Sequence, residues 1–481
     1  MLRCDTLIRN ATIYDGNNAA PELADVALRG DRIVAIKSSL NMAANEIVDA
    51  EGLVLAPGFI DTHTHDDTAV IRTPAMLPKI SQGVTTVITG NCGISAAPVQ
   101  LTGPPPDPMN LLGDADSFRY PTFAAYVEAI RNAQPAVNIA ALVGHTALRN
   151  NHMDRLDRAA TTDEIGAMRA QLQESLDNGA LGLSTGLAYL SATAATTEEI
   201  LALAEPLAAA RSIYTTHMRS ESEAILDAMR EAFTIGRESG VPLVISHLKC
   251  AGIANWGRSP EVLDAFEAAQ KSQPVVCDCY PYAAGSSTLD LRQVDERVKI
   301  TITWSTPHPE VSGQSLEQIA RLWSIPQLEA ARRLQPGGAI YHSISEEDMR
   351  RILRHPATMI GSDGLPNDPH PHPRLWGAFP RVLGRYSRDE KLFPLTEAVH
   401  KMTGMPAQRF SIAHRGLIRE NYYADLVLFD PATILDTATF DDPQQPATGI
   451  ARVWVNGVLS YTAQGATEHR AGRFLPRNQI N

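Results

Sequence analysis

The sequence predicts an α/β fold in which a (β/α)8 barrel is combined with a small β domain built from both chain ends. Eight short apolar segments alternate with amphipathic helical segments through the middle of the chain. Polar residues follow nearly every apolar segment at its C-terminal end, which is where barrel enzymes place their sites. Both chain ends contain short alternating strands separated by turn residues.

The two chain ends, residues 1–57 and 415–481, are predicted to form one β domain. The predicted strands are 6–14, 25–28 and 32–36 near the N-terminus and 424–429, 450–455 and 458–459 near the C-terminus. Turn pairs between these apolar runs are typical of hairpins, and they are Asp15-Gly16, Gly30-Asp31 and Asn456-Gly457. Because the same pattern flanks a different middle region, we expect the two ends to pair with each other.

The barrel is predicted to span residues 58–414. Its strand candidates are 53–65, 84–92, 137–145, 180–189, 213–219, 242–249, 275–282 and 358–363. Helices are predicted at 163–176, 197–210 and 221–238, and the first has a candidate cap at Thr161 or Thr162. An open doubly wound sheet is the alternative arrangement. The common position of the polar residues favours the barrel.

One connection interrupts the regular spacing. Between Tyr282 and Thr358 lie about 75 residues, too many for a single crossover. Local elements are predicted there at 300–304, 315–323 and 325–334. We interpret 285–345 as an insertion on the catalytic face, which forms a lid or a wall of the substrate site. A decorating subdomain without such a role is the alternative.

Composition argues against several classes of protein and partner. Apolar residues make up 44% of the 481 residues, enough for a sizeable core and unlike a disordered chain. The formal net charge of −12 and the lack of a long basic run disfavour nucleic acid or anionic membrane as partners. No run of roughly 18 uncharged apolar residues predicts a membrane span. The five sparse cysteines and the absence of a signal-peptide core predict a cytoplasmic protein.

His63 and His65 stand at the end of the first predicted strand, in the segment Gly58-Phe59-Ile60-Asp61-Thr62-His63-Thr64-His65. Side chains two residues apart on a strand point to the same face. Two neutral imidazoles on one face are a ready metal chelate. Two histidines on a polar strand end without a metal are the alternative for this motif alone.

Four more potential ligands end other predicted strands. Cys92 follows the second strand, His217 the fifth, His247 the sixth and Asp363 the eighth. Taken alone, Cys92 is better explained as inert packing, and each of the other three is explained equally well as a buried polar group or a helix cap. Together with the two histidines of the first strand, all lie at the same end of the barrel strands. Imidazole, thiolate and carboxylate groups in this arrangement indicate a zinc hydrolase.

The chain resembles the amidohydrolase superfamily, and within it the D-aminoacylases, which are N-acyl-D-amino-acid deacylases. The motifs that carry the resemblance are the PGFIDTHTH segment, GNCG at 90–93, STG at 184–186, THMR at 216–219, SHLK at 246–249, GSDGLP at 361–366 and HPRLWG at 372–377. The resemblance covers almost the whole chain. It implies a distorted barrel with a small β-sandwich made from both chain ends.

The resemblance also implies how the metal is held. Many relatives with two metals use a carboxylated lysine from the fourth strand, but residues 181–186 of this chain contain no lysine. The D-aminoacylase pattern uses the cysteine after the second strand instead. It implies a tight zinc site formed by Cys92, His217 and His247. It also implies a neighbouring position that binds a second metal weakly or not at all, lined by His63, His65 and Asp363.

Two side chains are candidate catalytic groups in hydrolysis of an N-acyl-D-amino acid. Zinc would polarise the acyl carbonyl and lower the pKa of water. Asp363 is expected to take the proton from that water and deliver it to the departing amine. Tyr189, after the fourth strand, is the candidate stabiliser of the tetrahedral oxyanion, and packing at the barrel rim is its alternative role.

The small-molecule substrate carries an α-carboxylate, so fixed cations should face it. Arg374 and Lys249 are the candidates, and Tyr280 would add a hydrogen bond. Asp290, Arg292, Arg297 and Lys299 begin the insertion, and an arginine there would favour an acidic side chain. The negative charge of Asp290 favours neutral, hydrophobic D-amino acids instead.

Other functions stay open on the same scaffold. One is deacylation of N-acyl-D-glutamate or N-acyl-D-aspartate. Another is hydrolysis of cyclic amides of the hydantoin or dihydroorotate type, which the missing lysine and Cys92 disfavour. The last is a non-catalytic scaffold, which is disfavoured because all six ligand positions are filled. Oligomeric state and the number of metals are not predicted.

Overall fold

The computed structural model describes residues 3–477, and within them the predicted barrel is present. Its strands are Phe59–Asp61, Val84–Thr89, Asn138–Ala141 continued by Val143–Gly144, Gly182–Gly186, Ile213–His217, Leu243–Ile245, Val275–Cys279 and Thr358–Ile360. Neighbours pair in parallel from the first to the third strand and from the third to the eighth. The barrel confirms the predicted fold class.

Backbone contacts between the first and eighth strands close the ring. The N–H of Thr62 donates to the carbonyl of Ile360 at 3.4 Å, and the N–H of Asp363 donates to the carbonyl of His63 at 2.7 Å. Gly361 permits this approach, because a Cβ there would lie 2.6 Å from the Cβ of His63. The closure therefore brings candidate ligands from the two ends of the barrel sequence side by side.

The predicted first strand, 53–65, is wrong as a single strand. Val54–Pro57 pairs with Leu426–Phe429 in the sheet of the chain ends, and only Phe59–Asp61 enters the barrel. Gly58 lies at the break, where its N–H donates to Asp425 and where a Cβ would lie 2.2 Å from the Thr85 side chain. The apolar run continues through the break because both sheets bury it, so its pattern did not reveal the boundary.

Helices cover the outside of the barrel. The longer ones are Phe123–Ala133, His145–His152, Thr162–Asp177, Thr197–Ala209, Ile225–Ser239, Ser259–Gln270, Glu346–Arg354, Arg374–Arg381 and Leu395–Met402. Shorter helical segments are Ala69–Arg72, Leu77–Ile80 and Gly404–Arg409, and the π-helix Val382–Asp389 directly follows Arg374–Arg381. The predicted helix at 163–176 begins with a capping box in which the Thr161 hydroxyl accepts the N–H of Glu164. The predicted helix at 221–238 starts later, at Ile225, which leaves 221–224 in the loop above the barrel.

Strands from both chain ends form one sheet, as predicted. They are Arg3–Ile13, Glu22–Arg29, Arg32–Lys37, Ala43–Asp49, Val54–Pro57, Leu426–Phe429, Ile450–Val455, Val458–Thr462 and Gly465–Ala466. The side chains of Ile8, Val26, Leu428 and Trp454 share one buried cluster, so the two ends are packed around a common core. The remaining residues of the predicted segments 1–57 and 415–481, namely 1–2 and 478–481, lie outside the described residues.

The insertion has its own sheet and core. Strands Gly285–Thr288, Ile300–Ser305 and Gly337–Tyr341 pair antiparallel, and helices Leu316–Trp323 and Gln327–Leu334 pack on one face. The predicted local elements are therefore present.

Two short strands, Val99–Gln100 and Arg119–Tyr120, pair antiparallel in the loop after the second barrel strand. No helix among residues 3–477 has the length and hydropathy that crossing a membrane requires.

Candidate metal centre

A cavity of about 780 Å³ opens at the C-terminal ends of the barrel strands. Its floor includes His65, His217, His247 and Asp363, and its wall includes residues of the insertion from Gly285 to Val298. The predicted site therefore lies at the end of the barrel where the sequence placed it, and the insertion borders it.

Four predicted ligands, His63, Cys92, His247 and Asp363, form a tight, buried group, and His65 adjoins it. Cys92 Sγ lies 3.2 Å from His63 Nε2 and 3.2 Å from His247 Nε2. Asp363 Oδ1 lies 3.5 Å from His63 Nε2 and 3.2 Å from His65 Nε2. Donor atoms of one tetrahedral zinc site are roughly 3.3–3.8 Å apart, since zinc–ligand distances are about 2.0–2.3 Å. The spacing of these atoms fits ligands of one ion.

His217 adjoins this group from the fifth barrel strand. Its ring centroid lies 4.5 Å from that of His247, and its Nε2 lies 3.8 Å from Glu221 Oε2. His217, Glu221 and His247 form a second set whose donor atoms lie within 4.8 Å of one another. Cys92 lies equally close to His247, which is expected in the tight site, and to His63, which is expected in the weaker site. The division of the six ligands between two sites therefore stays a prediction.

The chemistry of the donors fits a divalent metal. Burial by itself would raise the pKa of the Cys92 thiol, but the imidazoles of His63 and His247 outweigh it and hold that pKa well below its usual range. Cys92, His247 and Asp363 also have left-handed backbones, with φ of +54°, +35° and +48°. Such conformations cost of the order of 1–3 kcal/mol and cluster at functional sites. The backbone is thus held in strained geometry where these three side chains converge.

Two carboxylates that sequence analysis missed hold the ligand rings in place. Asp278 Oδ1 lies 3.2 Å from His63 Nδ1 and accepts a hydrogen bond from the backbone N–H of His247 at 2.9 Å. Glu221 Oε1 lies 2.8 Å from His247 Nδ1. A carboxylate on the second ring nitrogen fixes the tautomer and orientation of a metal-binding histidine. The one signal in the sequence that points to Asp278 is its position on the seventh barrel strand.

A buried lysine joins the loops that carry the ligands. Lys79 Nζ donates to Asp61 Oδ2 at 2.8 Å, to Thr64 Oγ1 at 2.9 Å and to Ser362 Oγ at 2.8 Å. Asp61 Oδ1 accepts the N–H of Ser362 at 2.8 Å. Asp61 thus ties the segment before His63 to the segment before Asp363.

Arg374 lies beside the ligand group and is fully buried. Its Nη2 is 2.9 Å from Asp363 Oδ2, and its guanidinium carbon lies 4.4 Å from the centroid of the Tyr280 ring. Arg374 Nε and Nη1 and the Tyr280 hydroxyl have no hydrogen-bond partner within residues 3–477. Buried donors without partners are costly, so this corner of the site is suited to an anionic ligand.

Lys249 and Tyr189 also border the cavity. Lys249 Nζ is 2.6 Å from Glu221 Oε1 and donates to the carbonyl of His247 at 2.9 Å, so it is already engaged. The Tyr189 ring lies 4.8 Å from that of His217, and its hydroxyl is 3.4 Å from Ser287 Oγ. Burial raises the pKa of Tyr189 well above its usual range, which keeps the hydroxyl protonated and able to donate.

His145 belongs to a separate buried cluster. It begins the helix His145–His152, and its Nε2 lies 3.0 Å from Glu199 Oε1. Glu199 also pairs with Arg149. His145 is absent from both sets of potential metal ligands found among residues 3–477, so its position supports a structural role.

Comparison with known proteins agrees with this geometry. The model of the Amidohydrolase family matches residues 46–461. D-aminoacylase from Alcaligenes xylosoxydans xylosoxydans is 51% identical over 473 residues, which cover 98% of each chain. A crystal structure of D-aminoacylase has a TM-score of 0.97 at 51% identity and covers 98% of this chain and 100% of its own.

A second solved structure extends the comparison to another substrate. N-acyl-D-glutamate deacylase from Bordetella bronchiseptica is complexed with zinc and a phosphonate that mimics the tetrahedral intermediate. It has a TM-score of 0.95 at 43% identity and covers 99% of this chain and 100% of its own. These matches confirm the resemblance to the D-aminoacylases, and the chain belongs to the amidohydrolase family.

Proposed function

We propose that this chain is a zinc-dependent deacylase that hydrolyses N-acyl-D-amino acids to a carboxylate and a free D-amino acid. The observation that carries the proposal is the buried group of His63, Cys92, His247 and Asp363, with Arg374 only 2.9 Å from Asp363. A metal site beside a fixed cation suits an amide substrate that also bears a carboxylate. The 51% identity to D-aminoacylase supports the D configuration.

Six side chains of this chain are proposed to hold the metal. Cys92, His217 and His247 form the tight zinc site, and His63, His65 and Asp363 form a neighbouring, weaker position. When bound, zinc polarises the acyl carbonyl and makes water more acidic. Glu221 keeps the ring of His247 oriented in the tight site, and Asp278 does the same for the ring of His63 in the weaker position.

Asp363 is proposed to move the protons. Burial by itself would raise the pKa of Asp363, but Arg374, His247 and His65 outweigh it and hold the pKa well below its usual range. The carboxylate is therefore ionised at neutral pH and able to accept a proton from the attacking water. It then delivers that proton to the departing amine, which cannot leave as an anion.

The substrate is proposed to be held at both of its ends. Arg374 and Tyr280 bind the α-carboxylate through Arg374 Nε and Nη1 and the Tyr280 hydroxyl, which have no hydrogen-bond partner among residues 3–477. Lys249 adds positive charge nearby, although Glu221 already neutralises part of it. The Tyr189 hydroxyl donates to the tetrahedral oxyanion.

Neutral, hydrophobic D-amino acids are the proposed products. The Arg292 side chain near the cavity is paired with Asp290 at 2.8 Å, which reduces its attraction for an acidic side chain. A panel of N-acetyl-D-Leu, -Met, -Phe, -Asp and -Glu tests this preference directly.

The proposal is tested by zinc analysis of purified protein followed by release of free amino acid from N-acetyl-D-methionine and N-acetyl-L-methionine. We expect bound zinc and hydrolysis of the D substrate. Hydrolysis of hydantoin or dihydroorotate without deacylation would favour a cyclic-amide hydrolase instead. Zinc-loaded protein that cleaves none of these amides would favour a non-catalytic scaffold.

A further inference from the structure

The cations that line the cavity, within residues 3–477, are all paired with carboxylates. The lining cations are Arg219, Lys249, Arg292 and Arg297. Their nitrogen–oxygen distances are 2.8 Å in Arg219–Glu231, 2.6 Å in Lys249–Glu221, 2.8 Å in Arg292–Asp290 and 2.6 Å in Arg297–Asp295. Asp107 and Glu223 line the same cavity. The wall around the site is therefore neutral or negative.

Arg292 is the cation that links the insertion to the loop carrying Tyr189. Its Nη2 donates to the carbonyl of Ala188 at 3.2 Å. Its Nε and Nη2 donate to Asp290 Oδ1 and Oδ2 at 3.0 and 2.8 Å. Two backbone hydrogen bonds hold Asp290 in place. Its Oδ1 accepts the backbone N–H of Arg292 at 2.9 Å, and its own backbone N–H donates to the Tyr341 hydroxyl at 2.9 Å.

These contacts use both edges of the guanidinium that could bind a second carboxylate. A guanidinium grips a carboxylate with two parallel N–H groups, either Nε with Nη2 or Nη1 with Nη2. Asp290 occupies the first edge of Arg292. The remaining N–H of Nη2 is directed to Ala188, which disables the second edge. An acidic substrate side chain would meet no free edge of Arg292, and the carboxyl group of Asp107 lines the same cavity.

We propose that Asp290 is a specificity-determining residue, which occupies Arg292 and so restricts the deacylase to N-acyl-D-amino acids with uncharged side chains. This inference rests on the proposed function and assigns its substrate class to one ion pair. Loss of the Asp290 carboxylate frees Arg292 to bind the side-chain carboxylate of N-acyl-D-glutamate.

The chain contains a matched control for this test. Asp295 and Arg297 repeat the geometry of the pair at the same sequence spacing. Arg297 Nε donates to Asp295 Oδ1 at 2.9 Å, and its Nη2 donates to Asp295 Oδ2 at 2.6 Å. The backbone N–H of Arg297 donates to Asp295 Oδ1 at 3.0 Å. No hydrogen bond from Arg297 to the Tyr189 loop occurs among residues 3–477, in contrast to Arg292.

The experiment measures kcat/KM of the zinc-loaded enzyme for N-acetyl-D-glutamate relative to N-acetyl-D-methionine. Asp290→Asn keeps a side-chain oxygen that accepts the backbone N–H of Arg292, but it replaces the carboxylate beside the guanidinium with an uncharged amide. We expect this variant to raise the ratio about tenfold or more, since a hydrogen-bonded charge pair forms with the substrate. The double variant Asp290→Asn with Arg292→Gln should return the ratio to the wild-type value. Asp295→Asn should raise the ratio less than Asp290→Asn does, because Arg297 lines the same cavity but, within the described part of the chain, makes no hydrogen bond to the loop that carries Tyr189.

Three results with the variants would overturn the inference while leaving the deacylase function intact. They are an unchanged ratio in Asp290→Asn, an equal rise in Asp295→Asn, and a raised ratio that persists in the double variant. A wild-type enzyme that already prefers N-acetyl-D-glutamate would also overturn it. Release of no amino acid from either D substrate by the zinc-loaded wild type would overturn the proposed function itself, together with this inference.

Discussion

Arg374 Nη2 lies 2.9 Å from Asp363 Oδ2, and both side chains are buried above the barrel. The same nitrogen donates to the carbonyl of Ser286 in the insertion at 3.0 Å. One guanidinium therefore connects the proposed proton carrier, the proposed carboxylate subsite and the segment that borders the cavity. A substrate carboxylate bound to Arg374 would share this guanidinium with the carboxylate of Asp363.

Replacement of Asp363 should separate metal binding from turnover. In Asp363→Ala we expect zinc at the tight site to be retained, since Cys92, His217 and His247 remain. Turnover should fall by at least about 10²- to 10⁴-fold, the usual contribution of a general acid–base. Zinc content and amino-acid release, measured on the same sample, check this. Normal turnover in the zinc-loaded variant would refute the role of Asp363.

Replacement of Arg374 should impair both binding and chemistry. Arg374→Ala removes the cation for the α-carboxylate and deprives Asp363 of its arginine partner. We expect a raised KM and a fall of about tenfold or more in kcat/KM, with a smaller fall in kcat. Arg374→Lys keeps the charge but lacks the bidentate edge, so it should recover only part of the loss. Steady-state kinetics indistinguishable from wild type would remove Arg374 from the site.

Asp278 should affect metal affinity rather than proton transfer. Asp278→Asn removes the charge beside His63 Nδ1, which is 3.2 Å away. Loss of such a partner weakens metal binding about 10- to 100-fold, here at the position that His63 lines. Competition with a zinc chelator measures the dissociation constant, and Asp264→Asn, an exposed site on the helix Ser259–Gln270, is the control. Equal zinc affinity in the two variants would contradict the orienting role.

The Glu199 cluster should contribute stability that depends on pH. Burial by itself would raise the pKa of Glu199, but His145 and Arg149 outweigh it and lower the pKa from 4.5 to about 2. A lowered carboxyl pKa stabilises the folded state above the unfolded-state value and loses that effect as pH falls towards the folded-state value. We expect Glu199→Gln to reduce the free energy of unfolding by about 2–3 kcal/mol at pH 7.

That difference should narrow as the pH falls from 4.5 towards 2, where wild-type Glu199 also becomes protonated. Denaturant unfolding of both proteins across this range measures it. Glu205→Gln is the control, because its pair with Arg169 is exposed and worth at most about 1 kcal/mol. A pH-independent difference would show that lost packing, and not the ionised pair, causes the destabilisation.

The sequence predicted those parts of the molecule that depend on local pattern. Cys92, His217, His247 and Asp363 were found because each follows an apolar segment, and barrel topology brings such ends together. The break at Gly58 was missed because the residues on both sides are buried, although in different sheets. Hydropathy records burial but not the identity of the neighbouring strand.

Partners of the ligands were harder to find because tertiary contacts define them. Glu221 lies in a loop and meets His247 and Lys249 only in the folded chain. Lys79 is separated from Ser362 by 283 positions, yet the two are 2.8 Å apart. No periodicity or spacing in a single sequence encodes such pairs.

The most direct test of the account is a zinc titration of metal-free protein with N-acetyl-D-methionine as substrate, in wild type and in Cys92→Ala. We predict that the wild-type rate rises with bound zinc and reaches its maximum at about one ion per chain. The variant should bind zinc weakly and stay inactive over the same range. Full turnover by the metal-free protein, or an unaltered titration in Cys92→Ala, would contradict a catalytic metal held by these side chains.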